Sequence, residues 1–206
     1  MTEQPQTYLV TPPSLDAESF PDTLARLLDT IPVACVRLAL ASRDEDEIAR
    51  AADALRLVCH DRDVCLVVTD HLLLAQRLGL DGVHLSAGTR GVRDARKALG
   101  IEGIVGSFCG TSRHDGMSAG EAGADYISFG PVGGGGLGDG ALAEIEIFEW
   151  WSQMIELPVV AEGGLGPAEV RALAPYADFF SFGDEIWSTE DPLATLKTLR
   201  AAMADG

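Results

Sequence analysis

The chain has 206 residues, 47% of them apolar, enough material for one domain of the larger kind. Its 32 acidic residues against 15 basic ones give a formal charge of −17, which repels a polyanion and excludes nucleic acid as an expected partner. No stretch reaches the ~18 apolar residues of a membrane helix, and the opening "MTEQPQTYLVTPP" has neither a basic region nor a long apolar run, so no membrane partner and a cytoplasmic location are expected.

Short β-rich runs alternate with amphipathic stretches along the chain. "TYLVTP" near residue 8 reads as a first strand, followed by "SFPDTLARLLDT", which sets Phe20, Leu24, Leu27 and Leu28 on one helical face. "ACVRLAL" near 34 reads as the second strand, and "DEDEIARAADALRLVCH" follows with acids suited to a helix N-terminus. Further strands are read at "VCLVVTD" near 64, "GVHLS" near 82 and "GIVGSFC" near 103. "TSRHDGMSAGEAGA" is a weaker helix, because its glycines cost helical stability. "YISFGPV" near 126 leads to "ALAEIEIFEWWSQMI", where Ile145, Phe148, Trp151 and Ile155 form an expected core-facing stripe. "PVVAEGG" near 158 and "FFSFGDEI" near 179 complete eight strands, and "DPLATLKTLRAAMADG" closes the chain with an Asp-Pro helix start.

Eight β-then-α units without a linker predict an α/β fold, a single (β/α)8 TIM barrel over residues 1–206. A doubly wound open sheet is the alternative, but no GxGxxG opens a helix after the first strand. Four cysteines, at 35, 59, 65 and 109, include no CxxC pair and read as reduced, buried thiols. In a barrel the site lies at the C-terminal strand ends, which selects Thr11, Arg37, Asp70, Ser86, Cys109, the loop after Pro131, Glu162 to Gly164, and Gly183 to Glu185.

The order of motifs resembles the thiamine phosphate synthase family, which includes the TenI-like thiazole tautomerases. "VVTDHLLLAQRLGLDGVHLS" is similar to the family's "NDxxxLAxxxxxDGVHLGQ", and "VGSFCGTSRHDGMSAGEAGADYISFGPV" to its "GxSxHxxxxxxxAxxxGADYxxxGPxFPTxTK". "YLVTPP" and "PVVAEGGL" match its first and seventh strands. The resemblance covers nearly the whole chain and implies a (β/α)8 barrel that couples hydroxymethylpyrimidine diphosphate to thiazole phosphate, with Mg²⁺ absorbing the charge of the leaving diphosphate.

Carried over residue by residue, it assigns the metal to Asp70, the diphosphate to Arg37, and the thiazole phosphate to the turn at Gly163 and Gly164. Other positions depart from the pattern. Thr69 stands for an Asn, and the second metal acid falls near Thr89. Gln-x-Arg-x-Lys reads Cys35-Val36-Arg37-Leu38-Ala39, and the "SxH" positions hold Phe108 and Gly110. The "PTxTK" loop becomes the glycine run Gly133 to Gly136, which offers backbone N–H groups but no cation. Gly183-Asp184-Glu185 occupies a small-residue phosphate nest, and Glu162 replaces an apolar residue beside it.

The expectation is therefore a family member linked to thiamine biosynthesis or salvage with much of its diphosphate apparatus replaced. The alternatives are a TenI-like enzyme using Asp70, His84 or Glu162 as acid or base, and a non-catalytic barrel that binds a heterocycle or thiamine. The partner is a small heterocycle or phosphorylated heterocycle, the cofactor Mg²⁺ if the synthase reaction is retained, and a homo-oligomer is possible on family grounds.

Each residue also has a plainer reading. Asp70 can cap the helix that starts at His71. Arg37 can pair with Asp70 or Glu162, and His84 can be a core histidine with satisfied nitrogens. His114 fits a surface or capping role, and Cys109 lacks an assured base. Asp70, Glu162, Asp184 and Glu185 form either a solvated acidic rim or, with Phe108 and Trp187, a pocket that attracts a cationic heterocycle.

Overall fold

The structure is a computed structural model that describes residues 4–134 and 136–204. Eight parallel strands close in sequence order into a barrel: β1 (Gln6–Val10), β2 (Cys35–Leu38), β3 (Cys65–Thr69), β4 (Gly82–Leu85), β5 (Ile104–Phe108), β6 (Tyr126–Phe129), β7 (Val159–Glu162) and β8 (Phe179–Phe182). β1 closes on β8, with Tyr8 opposite Ser181 and Leu9 opposite Phe182. The (β/α)8 expectation holds, and the open-sheet alternative falls.

Nine helices are described: α1 (Phe20–Leu28), α2 (Glu45–His60), α3 (Leu72–Leu78), α4 (Val92–Leu99), α5 (Arg113–Ala122), α6 (Ile145–Met154), α7 (Pro167–Leu173), α8 (Asp184–Trp187) and α9 (Pro192–Ala204). α4, α7 and the single-turn α8 lie in stretches for which the sequence reading named no helix, although α4 is amphipathic.

Strand alternation divides the core in two. Leu9, Val36, Leu66, Val83 and Phe180 join the shell packed with helix residues. Tyr8, Cys35, Val67, Tyr126 and Val160 instead cluster inside the barrel. Two residues further along the same strands, the inward series turns polar. Cys35 is followed by Arg37, Val67 by Thr69, Tyr126 by Ser128, Val160 by Glu162 and Phe179 by Ser181. The barrel is thus plugged by apolar side chains at its N-terminal end and lined with polar ones toward its C-terminal mouth.

The helical shell corrects two details of the sequence reading. On α6, Ile147 is buried with Phe148 and Trp151, whereas Ile145 is exposed and Ile155 ends the helix as its C-cap. The α5 glycines have a packing purpose. A Cβ on Gly116 would lie 2.7 Å from the Trp151 ring, so this glycine lets α6 approach. Trp151 in turn meets Phe129 edge to face at 5.2 Å. Ser112 caps α5 by accepting from the Asp115 N–H at 3.1 Å, while His114 is exposed in the first turn. Cys35, Cys59 and Cys109 are buried free thiols, and Cys65 is free and half-buried.

Candidate functional site

At the C-terminal mouth, β1, β2, β7 and β8 surround a cavity of about 550 Å³. Thr11, Arg37, Glu162, Gly163, Gly164, Ser181, Gly183, Asp184 and Glu185 line it, and Gly133, Gly134, Gly136 and Leu137 fold over its edge. Gly135 lies outside the described residues.

Arg37 and Glu162 form its floor. Arg37 Nη2 donates to Glu162 Oε2 at 2.8 Å, with 8% and 3% of the two side chains exposed. Ser128 Oγ donates to Glu162 Oε1 at 3.1 Å. Burial is the largest single influence and opposes the guanidinium charge, but Glu162, Tyr8 and Tyr126 together outweigh it and raise the Arg37 pKa, so the guanidinium stays charged. Of the two partners considered for Arg37, the fold selects Glu162. Two donors of this buried pair's surroundings stay unmatched, because Arg37 Nε and Ser181 Oγ have no hydrogen-bond partner.

The wall is built from two turns. Gly163 and Gly164 both take left-handed backbone, with φ of 85° and 69°. This geometry aims N–H groups at one point, which a side chain of this chain fills. Glu185 Oε1 accepts from the Gly164 N–H at 2.8 Å and the Leu165 N–H at 3.2 Å, and Oε2 accepts from the Gly183 N–H at 2.8 Å. The sequence reading anticipated acids beside this turn, but not a carboxylate seated in it. The missing signal was tertiary, since Glu185 lies 21 positions from Gly164.

The glycine run packs against the same turn. Gly133 N–H donates to the Gly163 carbonyl at 3.0 Å and Val132 N–H to the same oxygen at 2.8 Å. A Cβ on Gly133 would stand 1.9 Å from the Gly164 carbonyl oxygen, so glycine is required there by close approach. The run begins just past the cis Gly130–Pro131 bond.

Asp70 does not join this cavity. Its carboxylate accepts from the Ser86 N–H at 2.9 Å and from Ser86 Oγ, and His71, not Asp70, is the N-cap residue of α3. The predicted meeting of Asp70 with Glu162, Asp184 and Glu185 therefore fails. Phe108 also lies elsewhere. It lines a second cavity of about 370 Å³ together with Ser86, Thr89, Cys109, Gly110 and Asp115. Trp187 donates from Nε1 to the Val10 carbonyl at 2.6 Å and packs edge to face on Phe20, so it braces the wall and lies outside the cavity lining. The aromatic half of the cation-pocket expectation is thereby removed.

His84 sits in the barrel interior, 2% exposed, and its Nδ1 bonds the Tyr126 hydroxyl at 2.9 Å. Tyr126 continues to the Tyr8 hydroxyl at 2.8 Å, and the Arg37 guanidinium lies 5.8 Å from the Tyr8 ring centre. Burial, then the nearby Arg37 charge, hold the His84 pKa well below its usual value, so the imidazole is neutral. The core reading of His84 fits this packing. Burial pushes the Cys109 thiol up to about 11, which leaves it a poor nucleophile near neutrality. The serines at 128 and 181 and the tyrosines at 8 and 126 went unmarked in the sequence. They join Arg37 and Glu162 through strand pairing, which sets Tyr8 beside Cys35 and Ser181 beside Glu162, and no pattern local to one strand points to them.

Among the described residues, no three His, Cys, Asp or Glu side chains cluster as a metal site. No helix among them is long and apolar enough to cross a membrane. Residues 7–180 match the family model described as thiamine monophosphate synthase. The chain is 40% identical to the thiamine-phosphate synthase of Rhodospirillum centenum, covering 88% of each chain. It is also 40% identical to that of Erythrobacter litoralis, over 94% of this chain and 93% of the relative. A solved thiamine phosphate pyrophosphorylase from Pyrococcus furiosus superposes with a TM-score of 0.82 at 20% identity, covering 98% and 96% of the two chains, and so shares the fold. With the family model spanning β1 into β8 and these relatives covering most of the chain, the protein belongs to the thiamine monophosphate synthase family.

Proposed function

We propose that this chain works in thiamine biosynthesis or salvage by binding a heterocycle of that chemistry in the cavity between β1, β2, β7 and β8. We further propose that coupling hydroxymethylpyrimidine diphosphate to thiazole phosphate is not its working reaction. The observation that carries the second half is the buried Arg37–Glu162 pair at 2.8 Å. A diphosphate leaving group needs uncompensated positive charge, and the arginine aligned with that role is already neutralised. A fit to Mg²⁺ is equally poor. The ion takes near-octahedral oxygen ligation with one or two carboxylates plus substrate phosphates. Here one aligned carboxylate, Asp70, has both oxygens engaged by Ser86, and Thr89 stands in the second position.

A second reading rests on Glu162. It is a carboxylate on the cavity floor, held by Arg37 and Ser128 on separate oxygens. An acid/base role on a bound ring would place this family member nearer the tautomerases than the synthases. His84 and Asp70 support that reading less, since His84 is spent on Tyr126 and Asp70 on Ser86.

The test is incubation with hydroxymethylpyrimidine diphosphate, thiazole phosphate and Mg²⁺, following diphosphate release. The expected result is release no faster than without protein. Release by the wild type that Asp70→Ala abolishes overturns the proposal.

A further inference from the structure

The 550 Å³ cavity contains a contradiction that identifies its ligand more closely. One end is an anion cradle. Three backbone N–H groups, from Gly164, Leu165 and Gly183, converge within 2.8 to 3.2 Å of one carboxylate. The loops after strands 7 and 8 are where barrels commonly hold a phosphate, and the carboxylate of Glu185 is a built-in substitute for it. The Asp184 side chain lines the same cavity and adds a second negative charge. The other end lacks partners. Arg37 and Ser181 are each more than nine-tenths buried and line the cavity, and their Nε and Oγ atoms, almost wholly covered, have no hydrogen-bond partner.

We infer that Glu185 is a specificity determinant that closes the cradle to phosphate monoesters, so that the cavity takes the unphosphorylated alcohol form of its heterocycle. A phosphate dianion cannot share the three N–H donors with Glu185, and it faces Asp184 if it approaches from the cavity. An alcohol has neither problem. Its hydroxyl donates to the outward side of the Glu185 carboxylate, which is an acceptor already in place. At the opposite end, a ring acceptor that draws the covered Arg37 Nε–H or Ser181 hydroxyl toward the cavity gives a partner to a buried group that is costly to leave unpaired. The charge on Arg37 does not attract an anion into this end, because Glu162 cancels it at 2.8 Å.

This deepens the proposed heterocycle-binding role and rests on it for the identity of the ring. The action of Glu185 on phosphate stands independently of that role. Two titrations separate the two. In the first, inorganic phosphate is added to wild type, Glu185→Ser and Glu185→Gln, and binding is read by calorimetry and by the shift in melting temperature. The wild type is expected to show no binding. Glu185→Ser should gain about a hundredfold in affinity, the effect of removing one facing unit charge under partial screening. Glu185→Gln removes the same charge but still fills the cradle with a side chain of the same shape, so it should gain only about tenfold. The Gln variant preserves the test should the Ser variant unfold. Phosphate binding by the wild type as tight as by either variant overturns the role of Glu185.

In the second titration the thiazole alcohol and its phosphate monoester are compared on the wild type and Glu185→Ser. The wild type should prefer the alcohol, and the variant should reverse that order while its alcohol affinity changes by less than about tenfold. A wild type that binds the monoester as tightly as the alcohol refutes the specificity. Binding of neither form by the wild type, with the phosphate result intact, refutes the heterocycle reading and leaves the Glu185 gate standing.

Discussion

Glu162→Gln should destabilise the barrel more than any surface substitution. The change keeps the side-chain volume and removes one charge from a pair whose members are 8% and 3% exposed. Arg37 cannot shed its proton to compensate, since a guanidinium stays charged throughout the accessible pH range. It would remain as an uncompensated buried cation, a situation that costs about 3–5 kcal/mol. The Ser128 hydroxyl would still find an acceptor, so the charge is the main loss. For a chain of this size each kcal/mol lowers the melting temperature by ~2–4 °C, which puts the expected drop between ~6 and ~20 °C. Urea unfolding followed by circular dichroism gives the free energy, and the slope should be unchanged if the denatured state is unaffected. Replacing both partners, Arg37→Met with Glu162→Leu, should restore most of the loss, because an apolar pair of similar volume avoids the desolvation cost. Phosphate should also stabilise Glu162→Gln and not the wild type, since the freed guanidinium becomes an anion site. A loss under ~1 kcal/mol would refute the reasoning, because it would mean the pair behaves as a solvated surface contact. A double variant as unstable as the single one would refute it in another way, by showing that shape rather than charge is at stake.

Acid should expose His84. Below pH ~6.5 an unfolded imidazole takes up a proton, whereas the buried one, held lower by burial and by Arg37, does not. The unfolded state then binds more protons, so stability falls as pH falls, by ~1.4 kcal/mol per unit beyond the carboxylate contribution. The difference between wild type and His84→Gln across pH 6.5 to 4.5 measures it, and equal slopes would contradict it. Gly133→Ala should cost about 1–3 kcal/mol, because its Cβ would sit 1.9 Å from the Gly164 carbonyl oxygen. Gly136→Ala meets nothing within 4 Å and should stay within ~0.5 kcal/mol in the same melts, which makes it the control. Trp151→Ala should cost about 3–5 kcal/mol in urea unfolding, since it empties a fully buried site against Phe129 and Gly116.

Much of the fold was legible because a parallel barrel writes itself locally. Each strand is a short apolar run between turn residues, and all eight runs became strands. The helices were read less evenly. α7 is seven residues and α8 four, too short for a 3.6-residue period to show. On α6, neighbouring apolar residues such as Ile145 and Ile147 compete for the inward face, and only contact with the sheet selects Ile147.

The site divides in the same way. Arg37, Glu162, Gly163, Gly164, Gly183 and Asp184 could be picked out from the barrel rule, because it depends only on strand ends, and one cavity unites them. Asp70 obeyed the same rule and Phe108 came from a motif match, yet neither lines this cavity, and Phe108 lines a second one.

The sequence by itself determined the family, the eightfold repeat and the list of polar strand-end residues, because these depend on residue type and spacing along the chain. The tertiary structure alone decided the pairings. Glu162 lies 125 positions from Arg37, and His84 lies 42 from Tyr126. Glu185 reaches back 21 positions to fill the turn at Gly164. Closing β8 onto β1 and curving the sheet brings these groups within hydrogen-bonding distance, and no local pattern encodes which carboxylate will arrive at which donor.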